Sequence, residues 1–221
     1  MRKLTADDFL HGAFYAAEQA GLLLHDAVHM WQRGRHSTAA ALAVFAREEI
    51  GRYRVLLDAR LETMKAEPYL TSEDVAKRCK NHVEKIRRAI SGVFYEYDPN
   101  TDPELKGLSR EKVDVIVRAR MTVKAKNLPG DTLDTRFEAL YVDVDENGTW
   151  NRPSRISAKA ASDLIYETMN DYARILDCLS CPQQSGECME LAAAFAAWPG
   201  RPTLPPLDGL AGFSQRQVPA A

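Results

Sequence analysis

Ser37-Thr38-Ala39-Ala40-Ala41-Leu42-Ala43-Val44-Phe45-Ala46-Arg47-Glu48-Glu49-Ile50-Gly51-Arg52 is the stretch that decides the fold. It is small and apolar for three turns, then presents two adjacent carboxylates, a glycine and an arginine. Alanines at 39, 40, 41, 43 and 46 let a second helix approach closely, so the run predicts a packed helix from about His36 to Lys65, with Pro68 beyond its end. A second run, Lys77-Arg78-Cys79-Lys80-Asn81-His82-Val83-Glu84-Lys85-Ile86-Arg87-Arg88, sets one histidine among six cations and one acid. Packed side by side, the two helices gather carboxylates, an imidazole and several cations. Such a cluster is either a site for a polyanion or a paired network of ions.

Outward from these runs the chain reads as helical. Thr5-Ala6-Asp7-Asp8 has the form of a capping box, and Leu10, Phe14, Ala17, Leu24, Val28 and Trp31 recur at helical spacing as far as Gly34. That predicts a rod of about 43 Å at ~1.5 Å per residue. Ser72-Glu73-Asp74 opens a third helix with a hydroxyl and two acids, and the basic run continues it. Asp98-Pro99-Asn100-Thr101-Asp102-Pro103 is a break, and Ser109 caps a fourth helix to about Lys126. Residues 136–156 differ: Leu140 to Asp145 alternate with period two, Asn147-Gly148 is a hairpin turn signal and Thr149-Trp150 starts a return strand. Ser157 caps a last long helix to about Leu179, and an alanine-rich helix over 187–198 ends at Trp198-Pro199-Gly200. The expected architecture is an all-α bundle over residues 1–198, with a β-hairpin inserted at 136–156 and an extended Pro/Gly-rich tail over 199–221.

With 221 residues and a net charge of −2, the chain has no global pull toward nucleic acid or membrane, so a polyanion site must be a local patch. No stretch approaches the ~18–20 apolar residues of a membrane span, so no membrane partner is expected. Met1-Arg2-Lys3-Leu4-Thr5-Ala6-Asp7-Asp8 lacks the apolar core of a secretory signal, which makes the cytoplasm the expected compartment. There the four cysteines are reduced. Cys178-Leu179-Ser180-Cys181, followed by Cys188, is half of a zinc pattern without a second half of matching spacing, and Cys79 and His82 could supply ligands only through the tertiary fold. Asp143 to Gly148 imitates the first half of a calcium loop, but Ser154 stands where a bidentate glutamate is required. No pair of Glu-x-x-His motifs exists for a di-iron site. Neither metal nor cofactor is expected.

The run Ala41 to Arg52 resembles the small-residue helix of the AbiV-type abortive-infection family, which ends in paired glutamates, an aliphatic residue, glycine and a cation. Asn81-His82-Val83-Glu84-Lys85 is similar to the histidine-x-x-lysine element on that family's next helix. Leu140-Tyr141-Val142-Asp143, Asn147-Gly148, Trp150 and Pro153 resemble the hairpin of its longer members. The likeness spans about residues 8–180 and implies a HEPN-like helical bundle. Many HEPN proteins are dimeric, metal-independent ribonucleases whose signature is an arginine, four to six residues, then a histidine. Here Arg78 has three residues before His82, and Lys77 has the spacing with the other cation. Lysine does not replace arginine at bidentate phosphate contacts.

The chemistry follows from the residue types. Cleaving RNA without metal needs a base for the 2′-hydroxyl, an acid for the leaving oxygen and cations for the charge that builds on phosphorus. Histidine titrates near neutrality and can serve as either. Along one continuous helix, Arg78 and Lys85 flank His82 by a turn on each side, so all three are expected on one face. Lys77, Lys80, Arg87, Arg88 and Arg52 are candidate RNA-contacting cations, joined by a second basic stretch at 110–126. Glu48 and Arg52 form an i, i+4 pair if both are exposed. Glu48 and Glu49 point about 100° apart, so one of them is expected to face inward and to need His82, Lys85 or Arg78 as a partner. The resulting expectation is a phage-defence ribonuclease acting as a homodimer. The alternatives are a non-catalytic module that binds a phage protein, or a toxin held by an antitoxin.

Overall fold

The computed structural model describes residues 3–65, 70–90, 105–109, 134–141, 143–144 and 149–180, with shorter pieces at 112–113, 115–116, 132, 193–194 and 196–199. Helix α1 (Ala6–Gln32) begins at the expected capping box: the Thr5 hydroxyl accepts from the Asp8 N–H at 3.1 Å, and the Asp8 carboxylate accepts from the Thr5 N–H at 2.9 Å. Gly34, with φ +72°, makes the left-handed turn into α2 (His36–Lys65). So short a connection turns α2 back along α1. Ala13, Ala16, Ala17 and Ala20 of α1 share one buried cluster with Ala39, Ala43 and Ala46 of α2. Small side chains on both surfaces are what let two long helices pack along their length.

Helix α5 (Ala158–Ser180) closes the core with Ile165, Met169, Tyr172 and Ile175. The Tyr172 hydroxyl is buried and donates to the Ala17 carbonyl at 3.0 Å, and that burial pushes its ionisation far up. Tyr172→Phe is therefore expected to cost about 1 kcal/mol, the usual worth of one such bond; urea unfolding measures it. At the far end Trp198 packs edge-on against Phe14 and Tyr15, and its indole N–H donates to Glu18 at 3.1 Å.

Two short helices lie on the outer side of α2. Helix α3 (Ser72–Lys80) is capped by Thr71 with Asp74, one residue before the expected Ser72, and buries no residue of its own. Helix α4 (His82–Ile90) buries Lys85, Ile86 and Ala89 toward α2. The sequence predicts one continuous helix here, and the structure breaks it at Asn81, whose backbone is extended at φ −78°, ψ 100°. Asn81 then caps α4, its side-chain oxygen accepting the Glu84 N–H at 3.0 Å.

The hairpin expected over 136–156 is not supported as an insert of that extent. Residues 134–140 are helical, and Pro153–Arg155 is a 3-10 turn. Among the described residues between them, β1 (Asp143–Val144) and β2 (Trp150–Asn151) pair, antiparallel, with Asp143 opposite Asn151 and Val144 opposite Trp150. The helical 134–140 segment docks through Ala139, which is buried with Ala40, Ala41 and Ala161. Of the helix expected over 109–126, Ser109, 112–113 and 115–116 are described; the last four are helical, and the Val113 N–H donates to the Ser109 carbonyl at 3.0 Å. Residues 145–148, most of 187–198 and the tail beyond Pro199 lie outside the described residues. No helix among the described residues is long and apolar enough to cross a membrane.

Candidate active site

The site forms where α4 crosses α2, and Gly51 makes the crossing possible. A Cβ at residue 51 would stand 1.7 Å from the Lys85 carbonyl oxygen and 2.4 Å from its carbon. Only a glycine lets the two backbones come this close. One turn earlier on α2, Glu48 is 4% exposed and faces α4. One carboxylate oxygen, Oε2, accepts from Lys85 Nζ at 2.8 Å and lies 2.6 Å from His82 Nδ1. The other, Oε1, accepts from Arg136 Nη1 at 2.9 Å. The paired-glutamate, aliphatic, glycine pattern thus has a physical account: the first glutamate binds and the glycine lets the partner helix down.

Helix α4 aims its groups by register. His82 is the first residue of the helix and Lys85 lies one turn on, so both point at Glu48. Lys85 is 2% exposed, so it needs the carboxylate. The His82 side chain is 47% exposed. A contact of 2.6 Å with a carboxylate places the ring proton on Nδ1. In the neutral ring Nε2 then carries the lone pair, and no hydrogen bond to it is found among the described residues. Arg136 Nη1 lies 3.2 Å from Nδ1, and since both are donors, its hydrogen goes to Glu48 instead. The arginine arrives from the 134–140 segment, and its guanidinium carbon sits 4.9 Å over the Phe45 ring.

Electrostatics separate the two neighbouring glutamates. Burial pushes the Glu48 carboxyl up, but the hydrogen bonds from Lys85 and His82 outweigh it and hold the group below its ordinary value of 4.5. Burial pushes Glu49 up, and the charges of Arg52 and Lys85 only partly offset this. Around Glu48 one carboxylate meets the basic groups of Lys85 and Arg136 beside an open imidazole.

The structure brings together Glu48, His82 and Lys85 and sends the other candidates elsewhere. The break at Asn81 puts Arg78 on α3, where both contacts of its Nη1 go to Glu62, so it does not share a face with His82. Arg52 pairs with Glu49 at 2.9 Å, not with Glu48, because Glu48 is the inward residue. Arg87 and Arg88 bind Glu84, and Arg88 also reaches Asp58. Lys77 and Lys80 are exposed on α3, and neither is among the groups bonded to Glu48. Arg136 is the residue that sequence reasoning missed; 88 positions from Glu48, it has no motif to announce it. The break itself was legible, since Asn81 followed by Glu84 is a cap pattern.

Elsewhere, Arg47 is buried against Asp171 at 3.0 Å and Glu167 at 3.2 Å, a bridge that ties α2 to α5. Burial pushes the Cys79 thiol up, away from thiolate chemistry. Among the described residues no group of side chains could hold a metal ion. Cys178 lies in the last turn of α5, and Cys181 and Cys188 lie outside the described residues.

A helical bundle of this kind is what the HEPN likeness implies. The family model described as AbiV matches residues 10–174, and the chain belongs to that family of abortive-infection HEPN domains. No curated protein and no solved structure matches the chain.

Proposed function

We propose that the chain is a phage-defence effector that cuts RNA without a metal ion, with His82 moving the proton. The observation that carries this reading is the 2.6 Å contact that ties Nδ1 to buried Glu48 while the ring stays open to solvent. A buried carboxylate fixes the tautomer and turns Nε2 outward as a base, the logic of an oriented catalytic histidine. In the reaction, Nε2 takes the proton of a 2′-hydroxyl and the 2′-oxygen attacks phosphorus. The bond from phosphorus to the 5′-oxygen breaks, leaving a 2′,3′-cyclic phosphate. The leaving 5′-oxygen takes its proton from the imidazolium of the partner's His82 in a homodimer. Glu48 balances and orients, and Lys85 holds Glu48; neither transfers a proton.

Chelator does not affect this chemistry. Purified protein in EDTA is expected to cleave cellular RNA, and His82→Ala is expected to lower the rate by about 100-fold or more, the scale of a lost general base. One observation favours a second reading, a non-catalytic module that blocks phage growth through a protein partner: Arg78 is paired with Glu62 and not with the histidine. Wild type and His82→Ala that both leave RNA intact, yet both protect cells, select that reading. Growth arrest on expression, relieved by a neighbouring gene product, selects an antitoxin-held toxin. Each of these functions is exercised in the cytoplasm, and none calls for a cofactor.

A further inference from the structure

Arg136 touches the same carboxylate as His82, but from the other side. Its Nη1 donates to Glu48 Oε1 at 2.9 Å, and among the described residues Oε1 takes no other hydrogen bond. Oε2 is shared by Lys85 Nζ at 2.8 Å and His82 Nδ1 at 2.6 Å. The last torsion of a glutamate side chain is soft and two-fold, so the plane of its carboxylate is set by what binds the two oxygens. With both oxygens held, the plane is fixed and one oxygen is aimed at the ring. With Oε1 released, the lysine, a flexible chain with three donors, can draw the carboxylate to itself, and the ring loses its fixed partner.

Arg136 is itself held for this contact. Its guanidinium carbon lies 4.9 Å over the Phe45 ring, and Phe45 stands three residues before Glu48 on α2, on the same helix face. Ala139, one turn beyond Arg136, is buried with Ala40, Ala41 and Ala161, and Phe45 packs against that cluster. Stability alone would not select this arginine. Its Nε is buried with no hydrogen-bond partner, and a buried donor left unpaired works against folding. A lysine has no such group, so the orphaned donor points to a use for the planar guanidinium besides folding. Nη1 also lies 3.2 Å from His82 Nδ1, but once Nδ1 carries the proton two donors face each other there. Any order that Arg136 gives the ring therefore runs through Glu48.

We propose that Arg136 is the positioning residue of the site: by occupying Glu48 Oε1 it aims Oε2 at the imidazole and keeps the ring proton on Nδ1, with Nε2 outward. Its effect on RNA cleavage rests on the ribonuclease reading, and its effect on the ring does not. The role requires no contact between Arg136 and RNA.

The test reads the His82 ring nitrogens of the full chain by long-range proton–nitrogen correlation NMR, at a pH where the ring is neutral. The wild type is expected to show the proton on Nδ1. Arg136→Met, which has no donor, is expected to move the nitrogens toward the mixture of tautomers that free imidazole shows. Arg136→Lys should fall between the two, since an ammonium can reach Oε1 but does not lie flat on Phe45. It also carries the test if Arg136→Met does not fold. In the Glu48→Gln background, Arg136→Met should change the ring no further, because the path between them is already cut. Wild-type nitrogens in the Arg136 variants that fold overturn the proposal. So does a further change in the Glu48→Gln background, which would assign the effect to the direct contact with Nδ1. On RNA, Arg136→Met is expected to lower kcat about 10-fold or more at unchanged KM, the scale of a misplaced catalytic group. A raised KM at unchanged kcat would make Arg136 an RNA contact and overturns the proposal as well. A wild type that leaves RNA intact sinks the ribonuclease reading alone, since the ring nitrogens are read without substrate.

Discussion

Glu48→Gln is expected to cost about 3–5 kcal/mol of unfolding free energy at neutral pH, the scale of breaking a buried ion pair from one side. The amide matches the carboxylate in shape, so packing is kept and the loss is electrostatic. Lys85 would stay buried with its ammonium against a neutral group, and Arg136 would lose its charge-assisted bond. The pH dependence carries a sign. Burial opposes ionisation of Glu48, but bonds from Lys85 and His82 prevail, so the folded value lies below 4.5. A depressed folded value stabilises the protein above the unfolded value, and that stability is lost as pH falls through the folded one. The gap between wild type and variant should therefore be full at neutrality and narrow below about pH 4.5. Urea unfolding across that range measures it, and a gap below about 1 kcal/mol at pH 7 would contradict the arrangement of charges described here.

Gly51→Ala is expected to destabilise by about 1–3 kcal/mol and to remove the site's geometry, although alanine is the better helix former by about 1 kcal/mol. The added carbon meets Lys85 main-chain atoms, which have no flexible end to yield. Helix α4 must lift off α2, drawing Lys85 and His82 away from Glu48. Gly12→Ala is the comparison within the same protein. Its added carbon would meet only the Leu56 side chain, at 3.4 Å, so propensity should prevail and the variant should gain a few tenths of a kcal/mol to about 1 kcal/mol. Opposite signs for one chemical change at two helical glycines, read as melting temperatures, isolate the close approach. Equal signs would show that the α2–α4 crossing is looser than the structure has it.

The sequence carried the long helices because their signals are local. Thr5 with Asp8, Gly34 and the alanines of α2 each act over a few residues, and each does in the structure what its chemistry implies. The family likeness was legible from Glu48-Glu49-Ile50-Gly51-Arg52 and from His82 with Lys85, since both halves of the crossing leave a trace. What stayed hidden depends on tertiary contact. Which of the two glutamates turns inward is set by where α4 lies. Arg78 was misplaced because the run 77–88 reads as one basic helix unless Asn81 is taken as the cap that breaks it. The hairpin signal over 136–156 reflected real alternation, but helix packing through Ala139 takes residues 134–140 out of it. Arg136 reaches Glu48 through the fold alone.

The most direct measurement is the chemistry of the RNA ends. Incubated with the purified chain in EDTA, RNA should be cut to fragments that carry 2′,3′-cyclic phosphate and 5′-hydroxyl ends, and His82→Ala should yield none. Intact RNA, cutting that survives His82→Ala, or 5′-phosphate ends that form only when a divalent metal is present would contradict an imidazole-driven cut at this site.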